Sequence, residues 1–354
     1  MATTTSSTSA PRSTTPRSST PRSSAPASAS RSERPASTPR SERPAAASSA
    51  PRDRVSLSPE AQSPVPAGAP ATLTAPLLSV HGLNSGREAF QEMHDRLSTN
   101  PNNQFGGVCR NGQIENANPQ GNHFAVEFSS GTNRTDQNAQ ELAACTQAVS
   151  QLTQRPEVDV VAHSQGGLAA REAAAQPGEN IRKIAMIGTP NHGTDFANGL
   201  GQVFPTAAGY IPSMAPRANG NAQGAVDDLR PGSATLNRVN QSLPTQRQNA
   251  EMMTITGTGA PTTFSGGQTG DGVVPSSSVP LPGVPNQEAR NCDHLGIHKD
   301  RNVQDAALGF LAGRAPAPQP LACTGTLNSV NEGIASLQAS VNQRFEDLLS
   351  RFRR

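Results

Sequence analysis

The sequence predicts an α/β fold, a mostly parallel sheet with helices on both faces. Three observations carry this expectation. Strand-like and helix-like stretches alternate between residues 75 and 312, which is the signature of a sheet built from crossover units. Leu77-Leu-Ser-Val80 reads as a strand buried in that sheet. Val158-Asp-Val-Val-Ala-His-Ser-Gln-Gly-Gly167 then runs a β-branched strand straight into a turn of small residues carrying a serine.

Taken in order, a strand at 76–80 ends in His81-Gly-Leu-Asn-Ser-Gly86, a loop start that offers backbone N–H groups, and a helix follows at 87–98. A strand at 123–128 and a helix at 136–153 come next. The strand at 157–162 leads through Ser164 into a helix at 166–176, whose residues Gly167-Leu-Ala-Ala-Arg-Glu-Ala-Ala-Ala175 favour helix and which Pro177-Gly178 stops. A strand at 181–188, a long insertion, a strand at 252–256, two loops and a helix at 301–312 complete the series. Sheets of this kind bind ligands at the carboxyl ends of their strands.

The serine turn is where chemistry is expected. A serine at the tip of a sharp strand-to-helix turn projects its hydroxyl out of the sheet, and the turn tolerates only small flanking side chains. Ala162 and Gly166 meet that demand around Ser164. The helix N-terminus behind it favours a developing negative charge. A serine hydrolase of α/β type also needs an acid and then a histidine further along. Asp271, in Gly270-Asp-Gly-Val-Val-Pro275, fits the acid best, since it follows a strand and precedes His294 in Asn291-Cys-Asp-His-Leu-Gly-Ile-His298. Asp227 and Asp228 fall in the insertion, and Asp293 adjoins the histidine, where its carboxylate turns away from the ring. His298 is the rival base, expected on a solvated helix start beside Lys299 and Asp300. His163 and His192 are expected to shape the site or pack beneath it.

His81-Gly-Leu83, Val160 through Gly167, Ile187-Gly-Thr-Pro-Asn-His-Gly-Thr194, Gly270 through Pro275 and Asp293-His-Leu-Gly-Ile297 occur in this order. Together they resemble the bacterial triacylglycerol lipases and esterases of the α/β-hydrolase superfamily, most closely the small Bacillus-type lipases with alanine ahead of the serine elbow. The resemblance runs from about residue 75 to 312. It implies an α/β-hydrolase fold, a carboxylic-ester hydrolase acting on lipid or other acyl esters, Ser164 as nucleophile, Asp271 as acid, His294 as base, and backbone N–H groups of Leu83 and Gln165 as oxyanion donors. No cofactor and no metal site is expected, because the histidines lack the close pairing with carboxylates that a zinc hydrolase shows. A thioesterase or polyester depolymerase on the same fold, or an inactive body serving as an interaction protein, are the alternatives.

Composition divides the chain further. Residues 1–66 are dominated by Ser, Thr, Pro, Ala and Arg, repeat Pro-Arg-Ser, and have almost nothing to bury, so disorder is expected. Nine arginines against Glu33, Glu42 and Asp53 give the first 54 residues a charge of about +6, where the whole chain carries +2. That distribution does not suggest a nucleic-acid binder. Residues 67–314 form the expected catalytic domain, with a lid-like insertion at about 195–250 whose stretch from Phe196 to Pro216 has no charged side chain. Both a mobile lid with an oily underside and a fixed cap fit it, and a lid implies transient contact with a lipid interface. A linker at 315–326 precedes 327–354, where Leu327, Val330, Ile334, Leu337 and Val341 recur at helical spacing. That amphipathic helix is expected to self-associate, dock on the body or lie on lipid.

Four cysteines suit two disulfides, most simply Cys109 with Cys145 and Cys292 with Cys323, with Cys109 expected in an Asn/Gly-rich loop. They point to an extracellular location, whereas the lack of an apolar signal segment after Met1 leaves a cytoplasmic one as the alternative.

Overall fold

The computed structural model describes residues 70, 72–197, 222–262 and 267–324. The expected disordered start, the uncharged stretch beyond Ala197 and the expected C-terminal helix lie outside the described residues.

In chain order the elements are β1 (Leu77–Val80), α1 (Gln91–Leu97, entered by a 3-10 turn at Arg87–Phe90), β2 (Phe105–Arg110), β3 (Gln113–Glu115), β4 (His123–Val126), α2 (Thr135–Thr153), β5 (Val158–His163), α3 (Gln165–Ala174) and β6 (Ile181–Ile187). After the insertion's helices α4 (Ala222–Asp228), α5 (Ala234–Gln241) and α6 (Leu243–Asn249) come β7 (Glu251–Thr258), β8 (Ala260–Pro261), β9 (Thr269–Gly270), β10 (Asn286–Arg290), α7 (Arg301–Leu311) and β11 (Leu321–Ala322). Nine strands form one sheet in the order β11-β10-β7-β6-β5-β1-β4-β2-β3. All neighbours are parallel except the β2–β3 hairpin.

The central strands are buried on both faces, which is why they are apolar at nearly every position. Leu78, Val80, Val160, Ala162, Ile184 and Met186 pack on one side with α2 and α3 residues such as Leu142, Val149 and Ala173. Leu77, Val161, Ala185, Ile187 and Ile255 pack on the other with Phe90, Met93, Val303 and Phe310. The two sets alternate along each strand, as the period of two requires.

β2 departs from the expected loop around Cys109. Gly106 and Gly107 resemble loop residues in sequence, yet they serve the sheet. A Cβ on Gly106 would collide with the Phe124 ring, and Gly107, at φ 122°, sits at a register shift between β2 and β4, a bulge position suited to glycine. Cys109 therefore lies on a strand and joins Cys145 on α2, with Cα atoms 5.8 Å apart. Cys292 joins Cys323 with Cα atoms 5.4 Å apart, tying the loop after β10 to the chain after β11.

The described part of the insertion is anchored to the body. Asp228, buried at the end of α4, accepts hydrogen bonds from Arg134 Nη2 at 2.7 Å, from Thr135 N–H at the start of α2 at 2.9 Å, and from Thr235 Oγ1 at 2.7 Å. Fully buried Arg171 on α3 donates to Gln246 Oε1 on α6, to Asn191 Oδ1 and to the carbonyl of Val239. Burial lowers the Arg171 pKa to about 9, because its acceptors are neutral and cannot offset the lost hydration. Leu168, Ala197, Val226, Leu229, Leu236 and Val239 close a small apolar cluster against which Leu83 packs.

Candidate active site

β5 delivers the chain to Ser164, which turns at φ 54° and ψ −129° before α3 starts at Gln165. Positive φ is costly for any residue with a Cβ, and the fold around the turn enforces it. Ser164 N–H donates to the Ile187 carbonyl at 3.0 Å. Three glycines make room for the approach of neighbouring chain. A Cβ on Gly166 would strike the His81 carbonyl, one on Gly167 the Thr189 side chain, and one on Gly82 would lie 2.8 Å from Ser164 Cβ.

The three side chains singled out in the sequence converge. Ser164 Oγ lies 3.0 Å from His294 Nε2, and His294 Nδ1 lies 2.7 Å from Asp271 Oδ2. All three are buried, with Ser164 7% and His294 6% exposed. Nδ1–H faces the carboxylate as donor, so Nε2 presents its lone pair to the serine hydroxyl. The other carboxylate oxygen of Asp271 accepts N–H groups of Val273 at 3.0 Å and Val274 at 2.7 Å, which leaves Oδ2 for the ring. His294 N–H donates to the Asp271 carbonyl at 2.8 Å. Gly188 underlies the pair, where a Cβ would stand 3.2 Å from Asp271 Oδ2 and 3.4 Å from His294 Nδ1.

Gln165 opens α3 directly after the serine, and Leu83 lies in the loop after β1. Phe128 N–H donates to His81 Nε2 at 3.3 Å, so His81 carries its proton on Nδ1, which lies 2.9 Å from the Gly82 carbonyl. In a trans peptide the C=O and N–H point oppositely, so Leu83 N–H is turned away from His81. The Gln165 side chain donates to the Asn133 carbonyl at 3.1 Å, holding the start of α3 to the loop before α2.

Two histidines behave differently from the sequence expectation or beyond it. His298, expected in solvent, is 4% exposed and stacks on His163, with ring centroids 4.0 Å apart. The cause is the turn at 293–297. Asp293 Oδ1 accepts from Gly296 N–H at 2.7 Å and its carbonyl from Ile297 N–H at 2.8 Å, curling the chain inward before Asp300 caps α7. Burial lowers the His298 pKa to about 3 and holds that of His163 well below the ordinary histidine value, with the Lys299 charge and neighbouring histidines adding to both shifts. Both rings are therefore neutral near pH 7. His192 lies elsewhere, against the carbonyl of Pro280 at 3.0 Å. Among the described residues, no group of three or more His, Cys, Asp or Glu side chains is placed to hold a metal ion.

Residues 58–200 match a family described as a domain of unknown function, DUF7379. Over 67 residues the chain is 34% identical to a triacylglycerol lipase of Pseudarthrobacter phenanthrenivorans and to one of Burkholderia plantarii, covering 19% of this chain and 21% and 19% of those proteins. The matched segment thus spans about a fifth of the length of these relatives. Lipase BlEst2 of Bacillus licheniformis, in its propeptide form, aligns with 73% of this chain and 54% of its own at 20% identity and a TM-score of 0.50. The chain therefore has the α/β-hydrolase fold and is similar to bacterial triacylglycerol lipases and esterases built on it.

Proposed function

We propose that the protein is a serine carboxylic-ester hydrolase that uses Ser164 as nucleophile, His294 as general base and then acid, and Asp271 to orient the imidazole. The observation that carries this reading is the continuous relay from Ser164 Oγ through both nitrogens of His294 to Asp271, at 3.0 and 2.7 Å, with the serine on a strained elbow. In this mechanism Ser164 Oγ attacks the ester carbonyl as His294 Nε2 takes its proton. The oxyanion is held by the N–H groups of Leu83 and Gln165, each donor worth about 2.7 to 4 kcal/mol in sites of this type. Collapse expels the alcohol, which receives the proton from His294, and leaves an acyl-Ser164 ester. Water, deprotonated by the same imidazole, releases the acid.

A lipid or other apolar acyl ester is the proposed substrate class. Leu295 supports it, a large apolar side chain 50% exposed directly beside His294, as does the sequence similarity to triacylglycerol lipases. Labelling with a fluorophosphonate, followed by peptide mapping, is expected to place the adduct on Ser164. A series of nitrophenyl esters run against acyl thioesters, soluble polyester fragments and emulsified triglyceride then identifies the acyl donor. Failure of the wild-type chain to take the label would overturn the reading in favour of an interaction protein, and faster turnover of thioester or polyester would reassign the substrate.

A further inference from the structure

We propose that His163 is a positioning residue that sets the distance between nucleophile and base by bracing the His294 backbone; this rests on the hydrolase reading above. His163 is the residue immediately before Ser164 and ends β5. Its Nε2–H donates to the His294 carbonyl at 2.9 Å in a fully buried setting. The serine and the histidine come from segments 130 positions apart, so nothing local fixes their separation.

The His163 bond closes a ring: from Ser164 along one peptide to His163, across to the His294 carbonyl, through the His294 side chain, and back to Ser164 Oγ. On its other side the His294 N–H is held by the Asp271 carbonyl. The backbone of the base is therefore gripped by the neighbour of the nucleophile and by the acid itself. The His163 ring also packs against His294, with centroids 4.7 Å apart, and stacks on His298 at 4.0 Å. His298 Nδ1 is buried without a hydrogen-bond partner, while the His298 ring also hydrogen-bonds the His294 backbone, so His298 backs the His163 ring as a flat, neutral surface and reinforces the same hold on the base. A flat ring with one N–H at its tip is what this position demands. Phenylalanine supplies the ring alone, and glutamine the donor alone.

The test compares wild type, His163→Phe and His163→Gln, with active sites counted by fluorophosphonate titration so that misfolded protein is excluded from turnover. Loss of the donor is expected to lower kcat per titrated site about 10- to 100-fold, as displacements near 1 Å do in such sites, with KM changed by less than about threefold. His163→Gln is expected to recover at least a third of the lost logarithm. A folded His163→Phe with unchanged kcat per site, or a His163→Gln no better than it, overturns the proposal. Should His163→Phe fail to fold, nitrogen-15 spectra of the wild-type imidazoles decide: a neutral His163 with its proton on Nε2 between pH 5 and 8 is required, and a proton on Nδ1 refutes the brace. Failure of the hydrolase reading itself appears in the wild type, which then takes no label, whereas failure of the brace appears only in the variants or in the tautomer.

Discussion

At the scale of single residues, small side chains decide as much as reactive ones. On the proposed mechanism, Ser164→Ala is expected to lower ester turnover on the order of 10⁵- to 10⁶-fold, the loss typical of a triad nucleophile, while thermal melts stay close to wild type. Retention of more than a few per cent of activity in homogeneous variant protein would place the nucleophile elsewhere. Gly82→Ala probes the opposite case, a residue without chemistry. Its new Cβ would meet Ser164 Cβ at 2.8 Å and the His163 carbonyl at 3.2 Å, both too close to accommodate without moving the elbow. Activity is expected to drop at least about tenfold, since sub-ångström misplacement is felt at the reacting atoms. A wild-type rate in this variant would show that the loop after β1 yields without cost. Ser164 was legible because a β-branched strand and small neighbours announce the turn. The inward position of His298 was not, because the turn that Asp293 makes with Gly296 fixes the chain's local curl, whereas the direction it faces depends on packing against His163 and Phe90.

At the scale of elements, the insertion is joined to α3 and to α2 by polar contacts, with Arg171 and Asp228 themselves buried. Asp228 caps α2 from a distance of 93 positions, adding a charged acceptor where the helix has unpaired N–H groups. Asp228→Ala is expected to destabilise the protein by about 2 to 4 kcal/mol, combining a lost cap with lost charge-assisted bonds, as read by urea denaturation. An effect below about 0.5 kcal/mol would mean that the insertion is held by its apolar cluster alone. The Cys109–Cys145 bridge staples β2 to α2 across 36 positions. The chain-entropy relation assigns such a loop about 4 kcal/mol. The double variant Cys109→Ser/Cys145→Ser is expected to unfold at correspondingly lower urea, and an unchanged midpoint would count against the bridge. Helices with long apolar stripes and β-branched strands were visible in sequence. β10, Asn-Gln-Glu-Ala-Arg, was not, because a strand near the sheet edge buries only alternate residues and its composition is polar.

At the scale of the whole molecule, buried neutral histidines govern the response to acid. His94 and His123 form a second pair, with their Nδ1 atoms 2.8 Å apart, and desolvation lowers their pKa values to about 3 and about 4. With His163 and His298, four histidines bind protons more weakly folded than unfolded. Below the unfolded value near 6.5 the unfolded chain protonates first, so stability falls with pH by about 1.4 kcal/mol per unit for each such group. Asp159 acts with the opposite sign. Burial raises its pKa to about 6, so its contribution to stability grows as pH falls from there toward the unfolded value. Glu172 and Glu179, whose pKa values burial also raises, act with it; the four histidines outnumber these three carboxylates, and melting temperatures are expected to decline between pH 6.5 and 4. A flat profile across that window would refute the assignment of neutral buried rings.

The periodic pattern that makes a parallel sheet with two covered faces, the serine turn, and the order of serine, acid and histidine along the chain are readable in the residues alone. These are local or one-dimensional properties: strand and helix periods, turn sterics and spacing are written in neighbouring residues. That His298 turns inward, that His163 hydrogen-bonds the His294 backbone, that Asp228 caps a distant helix and that Cys109 sits on a strand emerge only in three dimensions. Each depends on residues brought together from positions far apart, where burial and hydrogen-bond satisfaction in three dimensions outweigh the preference of any single stretch.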